Sequence, residues 1–336
     1  RRLVKMGQFY SAPAKKEVKW YNDFEETIPS LSGKVIAITG CTTGTGFVAA
    51  RTCAKKGATV LMLNRKSERS EEALKKIKEE FPESEVVWVE CDLQSFKSVR
   101  AAAAEIKKKY SGGIDVLCNN AGMMMMDSQT GEDGYDLEMT VNHLSHFLLT
   151  KELFPLLSKK AESTGDARIV NHSSGARKRP EKKLDPEYLS KKTTDLGGND
   201  LNSRITRYQQ TKLSNCVFTF ALHDKLQAKN SKVKVLVAHP GLSATNLQVT
   251  TAKEGGWLMD LLLGTMMLFS HSAEDGTMGI VKCMVGDDVN SGELWGPGEW
   301  TGPAKKLPPE ELLTYEDSKT LLWEKSCEAI GESFDV

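Results

Sequence analysis

The chain has 336 residues, with 45 Lys and Arg against 45 Asp and Glu, so its formal net charge is zero. Hydrophobic residues make up 40% and charged residues 27%, which suits a globular protein with a sizeable core. That balance argues against a dedicated nucleic-acid binder, which carries a basic excess. No apolar run reaches the ~20 residues that span a bilayer; the nearest, from Trp257 to Phe269, is interrupted by Asp260. Cys41, Cys53, Cys91, Cys118, Cys216, Cys283 and Cys327 stand far apart with no C-x-x-C pair. This is a poor disulfide framework and reads as an intracellular reducing compartment.

The opening stretch to Ser32 carries Arg1, Arg2, Lys5, Lys15, Lys16 and Lys19. It reads as a basic arm over 1–32, or as the segment left after removal of an organellar presequence, mitochondrial or plastid. From Lys34 the pattern is regular. Residues 35–38 form an apolar run ended by Gly40, the pattern of a buried strand. Phe47, Ala50 and Ala54 recur at helical spacing, with Gly57 as C-terminal cap. A strand over 59–63 precedes a charged helix over 71–80, stopped by Pro82. A third strand covers 85–89, and Ser95 caps a helix whose apolar side is Phe96, Val99, Ala103, Ile106 and Tyr110. Then come a strand over 114–118, a long helix over 135–157 with Pro155 near its end, and a strand over 168–172. A helix over 208–226 and a strand over 233–238 complete the pattern. This alternation predicts an α/β fold, a doubly wound, mainly parallel sheet of the Rossmann type, with ligands at the C-terminal strand ends. The reading is one domain over 33–336, with a polar insertion at 177–207 and a substrate-side segment at 246–275.

The first strand runs into Thr39-Gly40-Cys41-Thr42-Thr43-Gly44-Thr45-Gly46, and a helix opens at once. One glycine permits the tight turn, another lets backbone approach a pyrophosphate, and the last lets helix pack on strand. The helix N–H groups and dipole then meet the phosphate charge. The second strand ends at Asn64-Arg65-Lys66. An acidic residue there would hold the ribose 2′-hydroxyl of NAD; Arg65 attracts a 2′-phosphate instead, which favours NADP(H) over NAD(H).

With these residues in view the chain resembles the short-chain dehydrogenase/reductase family. The spacing T-G-x-x-x-G-x-G is similar to that family's turn, although Thr45 stands where an apolar residue is common. Asp92-Leu93 and Asn119-Asn120-Ala121-Gly122 resemble two further family motifs. The resemblance implies that Asp92 faces the adenine and that the N-N-A-G loop, with Asn119, Ala121 and Gly122, supports the cofactor and the central sheet. It covers 31–247 well. More loosely, Leu322-Trp323-Glu324 through Gly331 looks like the closing helix of the retinol-dehydrogenase and protochlorophyllide-reductase-like branch.

Tyr208 and Lys212 stand at i and i+4, on one helix face. A phenol with pKa near ~10 is a poor acid–base group at neutral pH, and a neighbouring ammonium lowers that value. Tyr208 would then protonate a carbonyl oxygen during reduction or accept an alcohol proton during oxidation, with Lys212 also bonding the nicotinamide ribose. The resemblance further implies Ser174 as the hydroxyl that polarises the carbonyl, with Ser173 as its structural neighbour. It implies Asn142 as the residue that holds a proton-relaying water. It also implies a Pro240-Gly241 loop in which Thr245 reaches the nicotinamide carboxamide. Thirty-four residues separate Ser174 from Tyr208, longer than in compact members, because of the insertion.

Met123 to Met126, with the Leu- and Met-rich stretch 256–269, suggests an adaptable apolar pocket for a small lipophilic carbonyl or alcohol. Ordinary core, a homo-oligomer interface and an amphipathic contact with a membrane surface are the alternatives for that stretch. His143 and His146 lack a nearby Cys or carboxylate to complete a metal set, so no metal is assigned. The basic residues from Lys178 to Lys192 are interleaved with Glu and Asp and read as a solvated loop, not a nucleic-acid patch. The expected activity is NADP(H)-dependent hydride transfer. The rival is an accessory or scaffold subunit of a larger assembly that binds cofactor with little turnover; a light-dependent reductase is a narrower one.

Overall fold

The short apolar runs become strands because they are buried on both faces. Ile36, Ala37 and Ile38 of β1 (Val35–Thr39) and Val60 to Leu63 of β2 (Thr59–Asn64) are almost wholly removed from water. The computed structural model describes residues 16–178, 183–191, 196–243 and 270–336. Its sheet continues with β3 (Val86–Glu90), β4 (Val116–Asn119), β5 (Ala167–His172), β6 (Val233–Ala238), β7 (Leu294–Gly296) and β8 (Lys305–Leu307). Their order is β3-β2-β1-β4-β5-β6-β7-β8, parallel except for β8, which pairs antiparallel with β7. The chain winds outward from β1 in one direction and from β4 in the other. That reversal opens a crevice at the C-terminal ends of β1 and β4.

Helices cover both faces. On one lie α2 (Gly44–Lys55) and α3 (Glu68–Glu80), with α8 (Ala273–Val285) contributing Ile280 and Met284 to the same core. On the other lie α4 (Phe96–Lys109), α6 (Ser145–Thr164), α7 (Leu201–Ala228) and α9 (Glu316–Ile330). The single turn α5 (Leu137–Met139) leads through a π-helical turn, Thr140–Leu144, into α6. Phe147 of α6 meets Phe218, Trp323 and Phe334 at centroid distances of 5.2, 5.2 and 5.5 Å, which locks the C-terminal helix and tail onto the domain. Each such buried ring contributes about 1.5–3 kcal/mol.

Several local expectations change. α3 begins at Glu68 because Ser67 and Ser70 form a reciprocal capping box. Ser95 occupies the N-cap of α4 without a side-chain bond; the Phe96 N–H donates instead to Asp133 Oδ2 at 2.9 Å. Pro155 does not end its helix, which continues to Thr164 and closes at left-handed Gly165. The last residues of the expected insertion are the first two turns of α7, capped by the Asp200 carboxylate on the Asn202 and Ser203 N–H groups. Within the N-terminal stretch, α1 (Tyr21–Glu26) packs onto the domain: Asp275 accepts from the N–H of Lys19, Trp20 and Tyr21, and Tyr21 and Leu31 are buried. All seven cysteines are free, six of them buried. Among the described residues no helix is long and apolar enough to cross a membrane.

Candidate active site

β1 delivers the chain to Gly40, whose φ of +72° is open to glycine at little cost. A Cβ at Gly46 would stand 2.2 Å from Gly40 O and 2.3 Å from Asn120 Nδ2, so nothing larger fits without moving backbone. Thr43 is the N-cap of α2 but makes no side-chain bond there, and Thr42 and Gly44 beside it are only half-buried. The first N–H groups of the helix therefore remain available to an anion. Asn120 pins the turn from β4, donating to Thr39 O at 2.8 Å and Gly40 O at 3.3 Å. Its Oδ1 accepts from Thr45 Oγ1 at 3.0 Å, which gives the hydroxyl at that position a partner. Asn64 Oδ1 accepts from the Cys41 N–H at 2.7 Å, while its buried Nδ2 has no partner among the described residues. A cradle closed to side chains, with open helix N–H groups and an orphaned amide beside it, fits a dinucleotide's phosphates. Arg65 and Lys66 come next along the chain, both exposed.

Other predicted cofactor residues are placed more by backbone than by side chain. Asp92 Oδ1 accepts from the Gln94 N–H at 3.0 Å. Leu93 is buried in the core and its carbonyl accepts from Ser145 Oγ at 2.6 Å. Asn119 Nδ2 donates to Thr150 Oγ1 and Asn171 Oδ1, at 3.0 and 2.9 Å, tying β4 to α6 and β5. The Ala121 N–H donates to Thr39 Oγ1 at 2.9 Å. Pro240 O accepts from Ser243 Oγ and His271 Nε2, both at 2.7 Å. Gly241 has φ +66°, and a Cβ there would be 2.5 Å from Trp300 O. Thr245 and the stretch 256–269 lie outside the described residues.

The four expected reacting or supporting residues converge. Tyr208 and Lys212 share one side of α7, with the Lys212 Nζ 5.8 Å from the Tyr208 ring centre. Ser174, just after β5, bonds the Tyr208 phenol through its hydroxyl. Ser173 donates to Lys212 O at 2.7 Å and fixes the strand end to the helix. Lys212 Nζ donates to His172 O at 3.3 Å. Gly122 allows the N-N-A-G loop to lie here, since a Cβ on it would sit 3.3 Å from Lys212 Nζ and 3.1 Å from Asn142 Oδ1. Asn142 falls in the π-helical turn, a device common at functional sites. Both of its side-chain polar atoms are bonded: Oδ1 accepts from the Met123 N–H at 2.8 Å, and Nδ2 donates to Met123 O and Thr211 Oγ1, both at 2.9 Å.

Electrostatics correct one expectation. Burial pushes the Tyr208 phenol up to about 12, with the Ser174 bond opposing and Glu138 adding to the rise. In the cofactor-free protein desolvation therefore outweighs the Ser174 hydrogen bond, which is what lowers the phenol here. Burial also lowers Lys212 to about 8, with Glu138 pulling the other way. His172 and His146 are held neutral by burial, at about 3 and about 4. His146 bridges Asn142 O and Thr39 Oγ1 at 3.1 and 3.0 Å, while His143 bonds Ser326 Oγ at 2.9 Å.

Sequence reasoning missed four residues here. Asn120 stood inside a quoted motif, and Glu138 one helical turn before Asn142. Arg177 and Arg207 stand in the sequence only as the ends of the polar insertion, yet both are fully buried. Arg177 makes a two-pronged pair with Glu310 at 3.1 and 3.0 Å and donates to Ser174 O at 3.0 Å.

A Rossmann-type sheet with this turn and this Ser–Tyr–Lys cluster defines a dinucleotide-dependent dehydrogenase class. The family model described as short chain dehydrogenase matches residues 34–194. Retinol dehydrogenase 13 of Homo sapiens is 31% identical over 311 residues, covering 90% of this chain and 86% of that protein. Polyprenol dehydrogenase of Homo sapiens is 30% identical, covering 91% and 88%. Among solved structures, an uncharacterized protein from Mycobacterium Paratuberculosis superposes with a TM-score of 0.72 at 27% identity, covering 93% of this chain and 98% of that one. A short chain dehydrogenase from Shigella flexneri 2a complexed with NADP shares the fold, with a TM-score of 0.59 at 21% identity over 80% of this chain and 99% of that one. The chain belongs to the short-chain dehydrogenase/reductase family, in its retinol-dehydrogenase-like branch, and is an oxidoreductase.

Proposed function

We propose that the protein transfers a hydride between NADP(H) and the carbonyl or alcohol carbon of a small lipophilic substrate, with NAD(H) as the weaker cofactor. The observation that carries this reading is the convergence of Ser174, Tyr208 and Lys212 at the edge of the crevice beside the glycine turn. Gly40, Thr42, Thr43, Gly44, Thr45 and Gly46 hold the pyrophosphate, and Arg65 meets the 2′-phosphate. Asp92 and Leu93 border the adenine. Asn119, Ala121, Gly122, Pro240, Gly241 and Thr245 support the nicotinamide end.

The bound cofactor supplies the hydride and, once oxidised, a positive ring that favours the phenolate. Tyr208 gives its proton to the carbonyl oxygen in reduction and takes the alcohol proton in oxidation, while Ser174 donates to the same oxygen. Lys212 bonds the nicotinamide ribose and returns the proton to Tyr208 through a water held at Asn142. The half-buried Met123, Met125 and Met126 support an apolar substrate, as do relatives whose names carry retinol and polyprenol. Free, buried cysteines support a reducing intracellular compartment.

Purified protein mixed with NADPH and decanal or retinaldehyde should consume NADPH faster than NADH. No turnover with any apolar aldehyde, with Tyr208→Phe indistinguishable from the parent, would favour an accessory role.

A further inference from the structure

The stretch Gly122–Met126 runs past the acid–base pair. It starts against Lys212, and its far end is bonded by Arg207, the residue that precedes Tyr208. Three buried side chains hold its backbone. Asn142 engages both polar atoms of the Met123 backbone, Glu138 Oε1 accepts from the Met125 N–H at 3.1 Å, and Arg207 Nη2 donates to Met126 O at 2.9 Å. Met125 has φ +51°, a conformation unusual for a side-chain-bearing residue, so its N–H bond secures strained backbone. Arg207 reaches further: its Nη1 donates to Leu196 O and Gly198 O at 2.6 and 2.7 Å. Ser128 is stitched to the same 196–199 strap, through its N–H to Asn199 Oδ1 (2.6 Å) and the Leu196 N–H to its Oγ (2.9 Å), and Asp127 forms an ion pair with Arg204 of α7.

The proposed reaction accounts for Asn142 but not for Glu138, a carboxylic acid only 2% exposed. Burying such a group is costly unless something compensates. Its Oε2 has no hydrogen-bond partner among the described residues, and neither has Arg207 Nε. The charged and titratable groups that face it are Asp136 on its own turn and Arg207, Tyr208 and Lys212 on α7. Burial and Asp136 raise the Glu138 carboxyl to about 8, with Arg207 opposing.

We propose that Glu138 and Arg207 are positioning residues, which hold the 123–128 wall and the 196–199 strap against the acid–base pair. The methionine side chains can then adapt to substrate on a backbone that does not move. The inference rests on Tyr208 as the acid–base group, so its test carries a control for that reading.

The test compares decanol oxidation with NADP+ in the parent, Glu138→Gln, Glu138→Ala, Arg207→Lys and Tyr208→Phe. Glu138→Gln keeps an acceptor for the Met125 N–H and Glu138→Ala removes it. The KM for decanol should rise about fivefold to tenfold in Glu138→Ala and stay within about twofold of the parent in Glu138→Gln, with NADP+ affinity within about twofold in both. Arg207→Lys keeps the charge and loses the fork, so the KM for decanol should rise about fivefold to tenfold with kcat nearly unchanged. A parental KM in Glu138→Ala or in Arg207→Lys overturns the proposal. Turnover by Tyr208→Phe, or none by the parent, overturns the functional reading instead.

Discussion

Lys212 should be a residue whose removal stabilises the protein while it disables the site. Its ammonium is 4% exposed, and its hydrogen bond among the described residues is the 3.3 Å one to His172 O. Burial lowers its pKa from the ordinary 10.5 to about 8. At about 1.4 kcal/mol per pH unit, that gap makes the buried charge cost about 3 kcal/mol at neutral pH. The folded state holds this proton less tightly than the unfolded chain does. The cost is therefore complete below about pH 8 and fades as the pH rises towards 10.5. Lys212→Met keeps most of the volume without the charge, and His172 O retains the 3.0 Å bond from Asn215 Nδ2. Urea unfolding without cofactor should show a gain of about 1–3 kcal/mol at neutral pH, shrinking towards zero near pH ~10, with NADPH affinity and turnover both reduced. A variant less stable than the parent at neutral pH, or a gap that does not narrow with pH, would refute the reasoning.

Three further outcomes can be checked on the same protein. Gly46→Ala drives a methyl into Gly40 O and Asn120 Nδ2, and should cost about 2–3 kcal/mol in urea unfolding and at least about tenfold in NADPH affinity; unchanged affinity would remove the turn from the cofactor site. Arg65→Asp should lower the NADPH-to-NADH affinity ratio by about tenfold or more, and an unchanged ratio would refute the 2′-phosphate assignment. Glu310→Gln leaves the buried Arg177 guanidinium without its counter-charge, so stability should fall by about 2–4 kcal/mol. Because Arg177 also holds Ser174 O, kcat should fall while NADPH affinity stays; a loss in affinity alone would place the pair elsewhere in the reaction.

Much of the architecture was legible because buried parallel strands are short apolar runs closed by turn residues; β6 occupies its expected 233–238, and β1 and β2 extend one residue further. What escaped was structure whose cause is not local. β7 and β8 are three-residue strands held by pairing to β6 and to each other, with no periodicity to betray them. The first turns of α7 are polar, and only the Asp200 cap announces them. The Tyr208–Lys212 pair could be read because four-residue spacing fixes a shared helix face. The phenol's pKa could not, because burial decides its sign, with Glu138 adding to the rise and the Ser174 bond opposing it. Likewise a glutamate on a helix and two arginines at the ends of a polar insertion look solvated. Only distant carbonyls and the Glu310 carboxylate make the arginines internal.

The most direct measurement is a single turnover: NADPH-loaded protein mixed rapidly with decanal, comparing the parent with Tyr208→Phe and reading the loss of NADPH absorbance. Deleting one hydroxyl should leave NADPH affinity intact and slow hydride transfer by about a hundredfold to ten-thousandfold, since proton delivery to the developing alkoxide is lost. Transfer at the parent's rate would contradict the assignment of Tyr208 as the group that moves the proton.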